Sequence, residues 1–325
     1  MTPLEREVLA TIEPDAAEEG AMKADAEALQ AAADRRLAAL RVPGQATVQG
    51  SVAKGTWLRG AGDVDLFLLL DPAVPEARLE SIAEEVGKGV LSGVHKRYAQ
   101  HPYLMGTFRG RTVDLVPAYR VAAPGARMSA VDRTPFHTEW VRSRLDGAAR
   151  GEARILKQWL KGVGAYGAQT AVGGVSGYLA EVLVAWAGSF AAVVSWLAAD
   201  AKPRRIALGP DQVADEVSPL VVVDPVDPAR NCAAAVQDET LSRAVVASRA
   251  YLASPDRRFF FPAPPRAEPK AGLQAALAAR REAWLGILLR PRTDRLDIVF
   301  PQFQKGARAF SAALGQAGFP VRRMS

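Results

Sequence analysis

Residues 50–70 read Gly50-Ser51-Val52-Ala53-Lys54-Gly55-Thr56-Trp57-Leu58-Arg59-Gly60-Ala61-Gly62-Asp63-Val64-Asp65-Leu66-Phe67-Leu68-Leu69-Leu70. The Gly-Ser turn follows a short strand candidate, Gln45 to Gln49, and Asp-Val-Asp opens a stronger, apolar strand bounded by Gly62 and Asp71-Pro72. Strand side chains alternate, so Asp63 and Asp65 face the same side, about 7 Å apart at Cα. Carboxylates that close repel each other unless a cation lies between them, and hard divalent ions are the usual partner. Ahead of them the Gly50-Ser51 turn, at a helix start, presents backbone N–H groups suited to phosphate. A third acid, Asp114, is centred in the apolar stretch Thr112-Val113-Asp114-Leu115-Val116, where a charge is costly unless paired or bound to metal. A lone D-x-D pair is more often a solvated strand edge. The turn and the third acid change that reading to a two-metal nucleotidyl-transfer site.

Working outward, Thr2, Pro3 and Glu5 form a capping-box start for a first helix. Pro14 begins a second that runs to about Leu40 and stops at Val42-Pro43-Gly44. Pro75 to Val90 is an amphipathic helix, and strands are expected near 94–100, 103–108 and 112–119. This is a small mixed α/β head with a mainly antiparallel sheet. From Pro135 the period becomes helical, with segments near 135–145, 150–163, 174–200 and 237–253 and a short strand at Val221–Val223. A Pro-rich linker starting at Phe259 leads to a helix (271–281), a strand (284–289) and a helix (301–318). The fold class is therefore α+β, in three domains: 1–134, 135–257 and 258–325.

The chain has 325 residues, 49% hydrophobic and 23% charged, a globular balance. The apolar run from Val182 to Ala199 contains Gly188, Ser189, Ser195 and two Trp, and reads as a buried core helix with no membrane role. The N-terminus is acidic where a signal peptide is basic and then apolar, and the lone Cys232 rules out a disulfide framework. A cytoplasmic protein is the expectation. Of 41 cations 32 are Arg, and the net charge is +6. An Arg-biased basic chain suits RNA or nucleotide, although a GC-rich coding sequence produces the same bias.

The wording is narrower than the generic triad. GSVAKGTWLRGAGDVDLFLLL, RYAQHPYLMG, VDLVPAYRV, SAVDRTPFHTEWV, LKQWLKGVGAYGAQ, GGVSGYLAEVLV and VVVDPVDPARNCAAAV together resemble the class I, archaeal-type CCA-adding tRNA nucleotidyltransferases of the polymerase-β-like superfamily. The resemblance runs to about Pro320, and VDRTPFH and VDPVDxxRN are its most specific blocks. It implies a polymerase-β-like head, a helical neck and part of a C-terminal RNA-binding body, acting on the tRNA acceptor arm with CTP and ATP. It also implies two Mg²⁺ ions held by Asp63, Asp65 and Asp114, and a homodimer. Gly50 and Ser51 match the phosphate turn. Lys54 stands where many members have Arg, which keeps a cation and loses the bidentate fork. His137, Lys157 and Tyr166 match nucleotide contacts, and Arg230 matches the arginine that helps read the incoming base.

Each also has a plainer reading. Lys157 and Lys161, four apart on a helix, also fit a solvated face, and Tyr166 fits a core anchor. His95 reads as structural, and His101 as structural or phosphate-touching. Family members continue past the point matching Ser325 into a tail that grips the tRNA. A fragment and a naturally short form both fit this chain, and without partners Phe259, Phe260 and Phe261 would form an exposed patch. Alternatives to CCA addition are a poly(A)-adding or small-molecule-adenylating transferase, or a non-catalytic RNA-binding remnant. VDRTPFH and Arg230 count against the transferases, and three retained carboxylates against the remnant.

Overall fold

The computed structural model describes residues 1–98, 102–199, 204–214, 217–264, 270–280, 286–293, 296–319 and 321. They fall into two compact units, Met1–Phe261 and Pro262–Ser325.

The first unit opens with α1 (Pro3–Ile12), whose Thr2–Glu5 capping box forms as expected, and α2 (Ala16–Ala39). The second helix is capped by Asp15, whose carboxylate accepts from Glu18 N; Pro14 lies just outside it. Next come β1 (Gly44–Gln49), the short α3 (Gly50–Lys54), β2 (Val64–Leu70), α4 (Glu76–Val90), β3 (Ser92–Tyr98), β4 (Pro102–Phe108) and β5 (Arg111–Tyr119). His101 lies outside the described residues. The five strands form one sheet in the order β1-β2-β5-β4-β3, with β2–β5 parallel and the other pairs antiparallel.

Strand alternation decides where the chemistry sits. Leu66, Leu68 and Leu70 of β2 bury on one face with Met22, Leu29 and Leu37 of α2 and Ile82 and Val86 of α4. Their alternates, Phe67 and Leu69, gather on the other face with Val116, Ala118 and Val131. Asp65 and Asp114 share the parity of this second face, away from α2 and α4.

A capped turn leads from the sheet to the helices. Asp132 is fully buried and accepts from Tyr119 N (2.8 Å), Met128 N (2.8 Å), Ser129 N (2.6 Å) and Ser129 Oγ (2.7 Å). Asp132→Ala leaves three backbone donors without that acceptor, and is expected to cost about 3 kcal/mol. Denaturant unfolding of the two proteins checks this; a loss below about 1 kcal/mol would contradict it.

The helical part comprises α5 (Thr134–Arg144), α6 (Gly147–Gly162), α7 (Gly177–Ala187), α8 (Phe190–Ala199), the short parallel pair β6 (Arg205–Ile206) and β7 (Val221–Val222), and α9 (Asp238–Ala253). The expected single helix over 174–200 is two. Gly188 takes φ 84° as the C-cap of α7, and Ser189 Oγ accepts from Ala192 N to start the next helix. Both helices bury residues such as Val182, Leu183, Phe190 and Val194 in the core. Among the described residues no single helix is long and apolar enough to cross a membrane, and this apolar pair is bent by 92°. Val8 and Ile12 of α1 join the same core.

The expected Phe patch is not exposed. Phe260 is fully buried, its ring 5.7 Å from those of Phe190 and Tyr251, and Phe259 and Phe261 pack partly against the core. Aromatic neighbours in the helical core take up this surface.

The second unit holds α10 (Lys270–Arg280) and α11 (Leu296–Gln316), the latter with Pro301 inside it. The strand expected at 284–289 is absent over its described residues, 286–289. Ile287, Leu288 and Leu289 are exposed there: a β-prone run forms a strand only beside a partner.

Candidate active site

In the parallel β2–β5 pair Asp65 lies directly opposite Asp114, at the usual inter-strand spacing of about 4.8 Å. Asp63 stands one residue before β2 and is exposed. Burial and then the Asp114 charge push the Asp65 carboxyl up to about 6; Lys54 offsets part of this, and Asp63 and Glu181 add to it. Gly50 takes φ 64°, and a Cβ there would fall on Asp65 Oδ2. Only glycine lets the turn pass this close to the carboxylate. Ser51 follows in the first turn of α3, which ends on a left-handed Gly55.

An all-carboxylate donor set whose central member is pushed up by burial and by its neighbours' charge fits a hard divalent cation, which relieves that repulsion. Among the described residues no group of three or more such side chains is already gathered at a point an ion would occupy. Nucleotidyltransferases generally use divalent metals.

Behind the acids lies a buried cluster. Lys54 Nζ donates to Glu181 Oε2 (2.9 Å), and Lys157 Nζ donates to Glu181 Oε1 (2.8 Å), Thr56 Oγ1 (2.9 Å) and Thr56 O (3.2 Å). Lys157 is 2% exposed, so the solvated-face reading fails for it. Burial opposes the charge on Glu181, but the two ammonium groups outweigh it and hold the carboxyl at about 2. Burial lowers Lys157, with Glu181 opposing. The Tyr166 hydroxyl lies over Gly177 close to Lys157, and burial, helped by Glu181 and Asp65, lifts it to about 12. Lys161 is exposed; it lies 5.4 Å from the Tyr166 ring centre and feels the charge of Asp63.

A second hub is Asp224, fully buried in VVVDPVDPARN. Its Oδ2 accepts from His137 Nε2 (2.9 Å) and Arg230 Nη1 (2.8 Å), and its Oδ1 from Tyr178 OH (3.0 Å) and Val226 N (3.0 Å). Burial lowers His137, with Asp224 opposing. The Arg230 side chain keeps 35% exposure, which leaves part of its guanidinium open. The hubs adjoin: Lys54 Nζ is 5.1 Å from the Tyr178 ring centre, and that ring stacks on His137 at 4.0 Å. A continuous wall thus runs from Asp65 through Lys54, Tyr178 and His137 to Arg230.

Glu181, Asp224, Tyr178 and Thr56 were not singled out from sequence. Glu181 had a signal: it is the one charge in the helix GYLAEVLVAWA, and such an acid needs a buried partner. Asp224 sits six residues before Arg230, and its partners are visible only in three dimensions.

The second-domain family of tRNA nucleotidyltransferases matches residues 151–261, and the nucleotidyltransferase-domain family matches 33–137. A CCA-adding enzyme of Halobacterium salinarum is 38% identical over 312 residues, covering 96% of this chain and 69% of that protein. The chain belongs to the CCA-adding enzymes. Another CCA-adding enzyme, from Thermococcus gammatolerans, is 36% identical over 333 residues, covering 97% of this chain and 72% of the relative. Solved structures alike in fold include E. coli MS115-1 CdnC with ATP (TM-score 0.61, 16% identity, 79% of this chain and 93% of that one). A cytoplasmic RNA terminal U-transferase is similar (TM-score 0.59, 14% identity, 80% and 98%). The fold is the polymerase-β-like nucleotidyltransferase fold, as expected of a CCA-adding enzyme.

Proposed function

We propose that this chain adds C, C and A to the 3′ end of tRNA from CTP and ATP, without a nucleic-acid template. The observation that carries the reading is the in-register pair Asp65–Asp114 beside the Gly50–Ser51 turn, in a chain of the CCA-adding family. Asp63, Asp65 and Asp114 would hold two Mg²⁺ ions; when bound, these lower the pKa of the attacking hydroxyl and neutralise the triphosphate. The tRNA 3′-hydroxyl gives its proton to the Asp114 carboxylate and bonds to the α-phosphorus. The bond to the bridging oxygen breaks, and pyrophosphate leaves with that electron pair. Gly50 and Ser51 present N–H groups to the phosphates, and Lys54, Lys157 and Tyr166 line their far side. His137 stacks on Tyr178 and steadies Asp224, and Asp224 aims Arg230 at the base.

In this reading the head (1–134) carries the acids, the neck (135–257) holds triphosphate and base, and basic residues of 258–325 meet the acceptor arm through its phosphates. A cytoplasmic location and a homodimer belong to the same proposal. A non-catalytic remnant would gain nothing from an Asp65 carboxyl pushed up to about 6.

The base-reading role is tested with Arg230→Ala. Single-turnover addition to a tRNA transcript ending at the discriminator base is run with CTP or ATP alone. The ratio of kcat/KM for CTP over ATP is expected to fall at least tenfold, about the worth of one or two lost hydrogen bonds. A preserved ratio, with both rates equally reduced, would remove Arg230 from base reading.

A further inference from the structure

Glu181 stands apart from the acids and touches both lysines assigned to the triphosphate. It projects from α7, is 1% exposed, and uses both oxygens, Oε2 for Lys54 and Oε1 for Lys157 and the Thr56 hydroxyl. The three N–H groups of Lys157 are all engaged, one by Glu181 and two by Thr56. Two buried ammonium groups this close cannot both keep their protons without an anion between them. A neutral lysine would leave the triphosphate side with one cation fewer.

We infer that Glu181 is the positioning residue of the triphosphate site: its carboxylate keeps Lys54 and Lys157 charged and side by side behind the Gly50–Ser51 turn. The inference rests on the nucleotidyl-transfer reading and adds a residue to it. Glu181 does not touch the nucleotide; it acts through the two lysines. The other groups facing them are Asp65 from β2, which attracts Lys54, and Arg154, one turn earlier on α6, which repels Lys157. Tyr178 from α7 and His137 from α5 lie on the Lys54 side, and the Tyr166 hydroxyl lies beside Lys157. With Glu181 neutral, Lys157 faces two cations and no anion of its own, so it gives up its proton first.

The test is the pH profile of kcat/KM for CTP in Glu181→Gln, divided by that of wild type, from pH 6.5 to 9 with saturating Mg²⁺ and tRNA. The ratio is expected to fall with rising pH, approaching tenfold per unit once the freed lysine titrates, mainly through KM. Glu181→Gln/Lys54→Met removes one of the two cations facing Lys157 and leaves burial and Arg154, so its ratio is expected to begin falling at a higher pH than that of the single variant; an unchanged onset would overturn the inference. A flat ratio in the single variant beside an active wild type would overturn the inference and leave the nucleotidyl-transfer reading standing. An inactive wild type would instead overturn that reading. Should Glu181→Gln not fold, as judged by circular dichroism, Glu181→Asp is measured in its place. It keeps the charge with a shorter reach, so KM for CTP should rise at least fivefold with kcat within twofold. An unchanged KM, or an equal loss in both parameters, would overturn the inference.

Discussion

Asp65→Asn is expected to lose nucleotide addition by roughly a thousandfold or more and to be more heat-stable than wild type without metal at pH 7. The two effects have one cause. Asp65 is squeezed by burial and by Asp114, which raises its carboxyl to about 6 from the ordinary 3.8. A carboxyl with a raised folded-state pKa favours the fold when protonated. That contribution is complete below about pH 4 and is lost as pH rises through about 6. At pH 7 the ionised group therefore costs the metal-free protein roughly 2–3 kcal/mol, which a neutral amide of the same shape avoids. Tm of the metal-free wild type should fall between pH 5 and 7, and that of Asp65→Asn should change less. Added Mg²⁺ should raise Tm of wild type more than that of the variant. Thermal unfolding at both pH values, with EDTA or Mg²⁺, checks all of this. Equal Tm values for the two proteins at pH 7 in EDTA would contradict it.

Gly50→Ala should damage the site through the backbone. Gly50 has φ 64°, a conformation costing an L-residue about 1–2 kcal/mol, and its new Cβ would fall on Asp65 Oδ2. Either the turn withdraws, moving Ser51 and the phosphate-facing N–H groups, or the carboxylate rotates away from Asp114. A displacement near 1 Å is enough for a hundredfold loss in a positioned reaction. We expect kcat/KM to fall at least that far, with stability reduced by about 1–2 kcal/mol. Gly60 is the control: its φ is 69°, and nothing lies within 4 Å of a Cβ there. Gly60→Ala should show a similar backbone cost with kcat/KM within about threefold of wild type. Equal activity losses in the two variants would mean that general destabilisation is the cause.

The head was legible because its signals are local. Strand period, a Gly-Ser turn and a charge inside an apolar run pointed to β1, the start of α3, β2 and β5, whereas the parallel register that sets Asp65 opposite Asp114 is visible only in the structure. The resemblance named Lys54, His137, Lys157, Tyr166 and Arg230, but the bonds that tie the polar wall together were not legible, because they join distant positions: Lys54 to Glu181 spans 127 residues, and His137 to Asp224 spans 87. Lys157 illustrates the difficulty, since its helical spacing with Lys161 suited a solvated face until Thr56 and Glu181 closed around it. Gly188-Ser189 divides the apolar run from Val182 to Ala199 into two helices, because glycine before serine is a C-cap followed by an N-cap. Phe259 and Phe260 followed the same rule, since their partners Phe190 and Tyr251 come from earlier helices.

The central claim is tested most directly by extending a labelled tRNA transcript that ends at the discriminator base, with Mg²⁺ and CTP, ATP or both, beside Asp65→Ala. The account predicts growth by three nucleotides only when both triphosphates are present, and none with the variant. Extension with ATP alone into a long tail, or equal extension by Asp65→Ala, would contradict it.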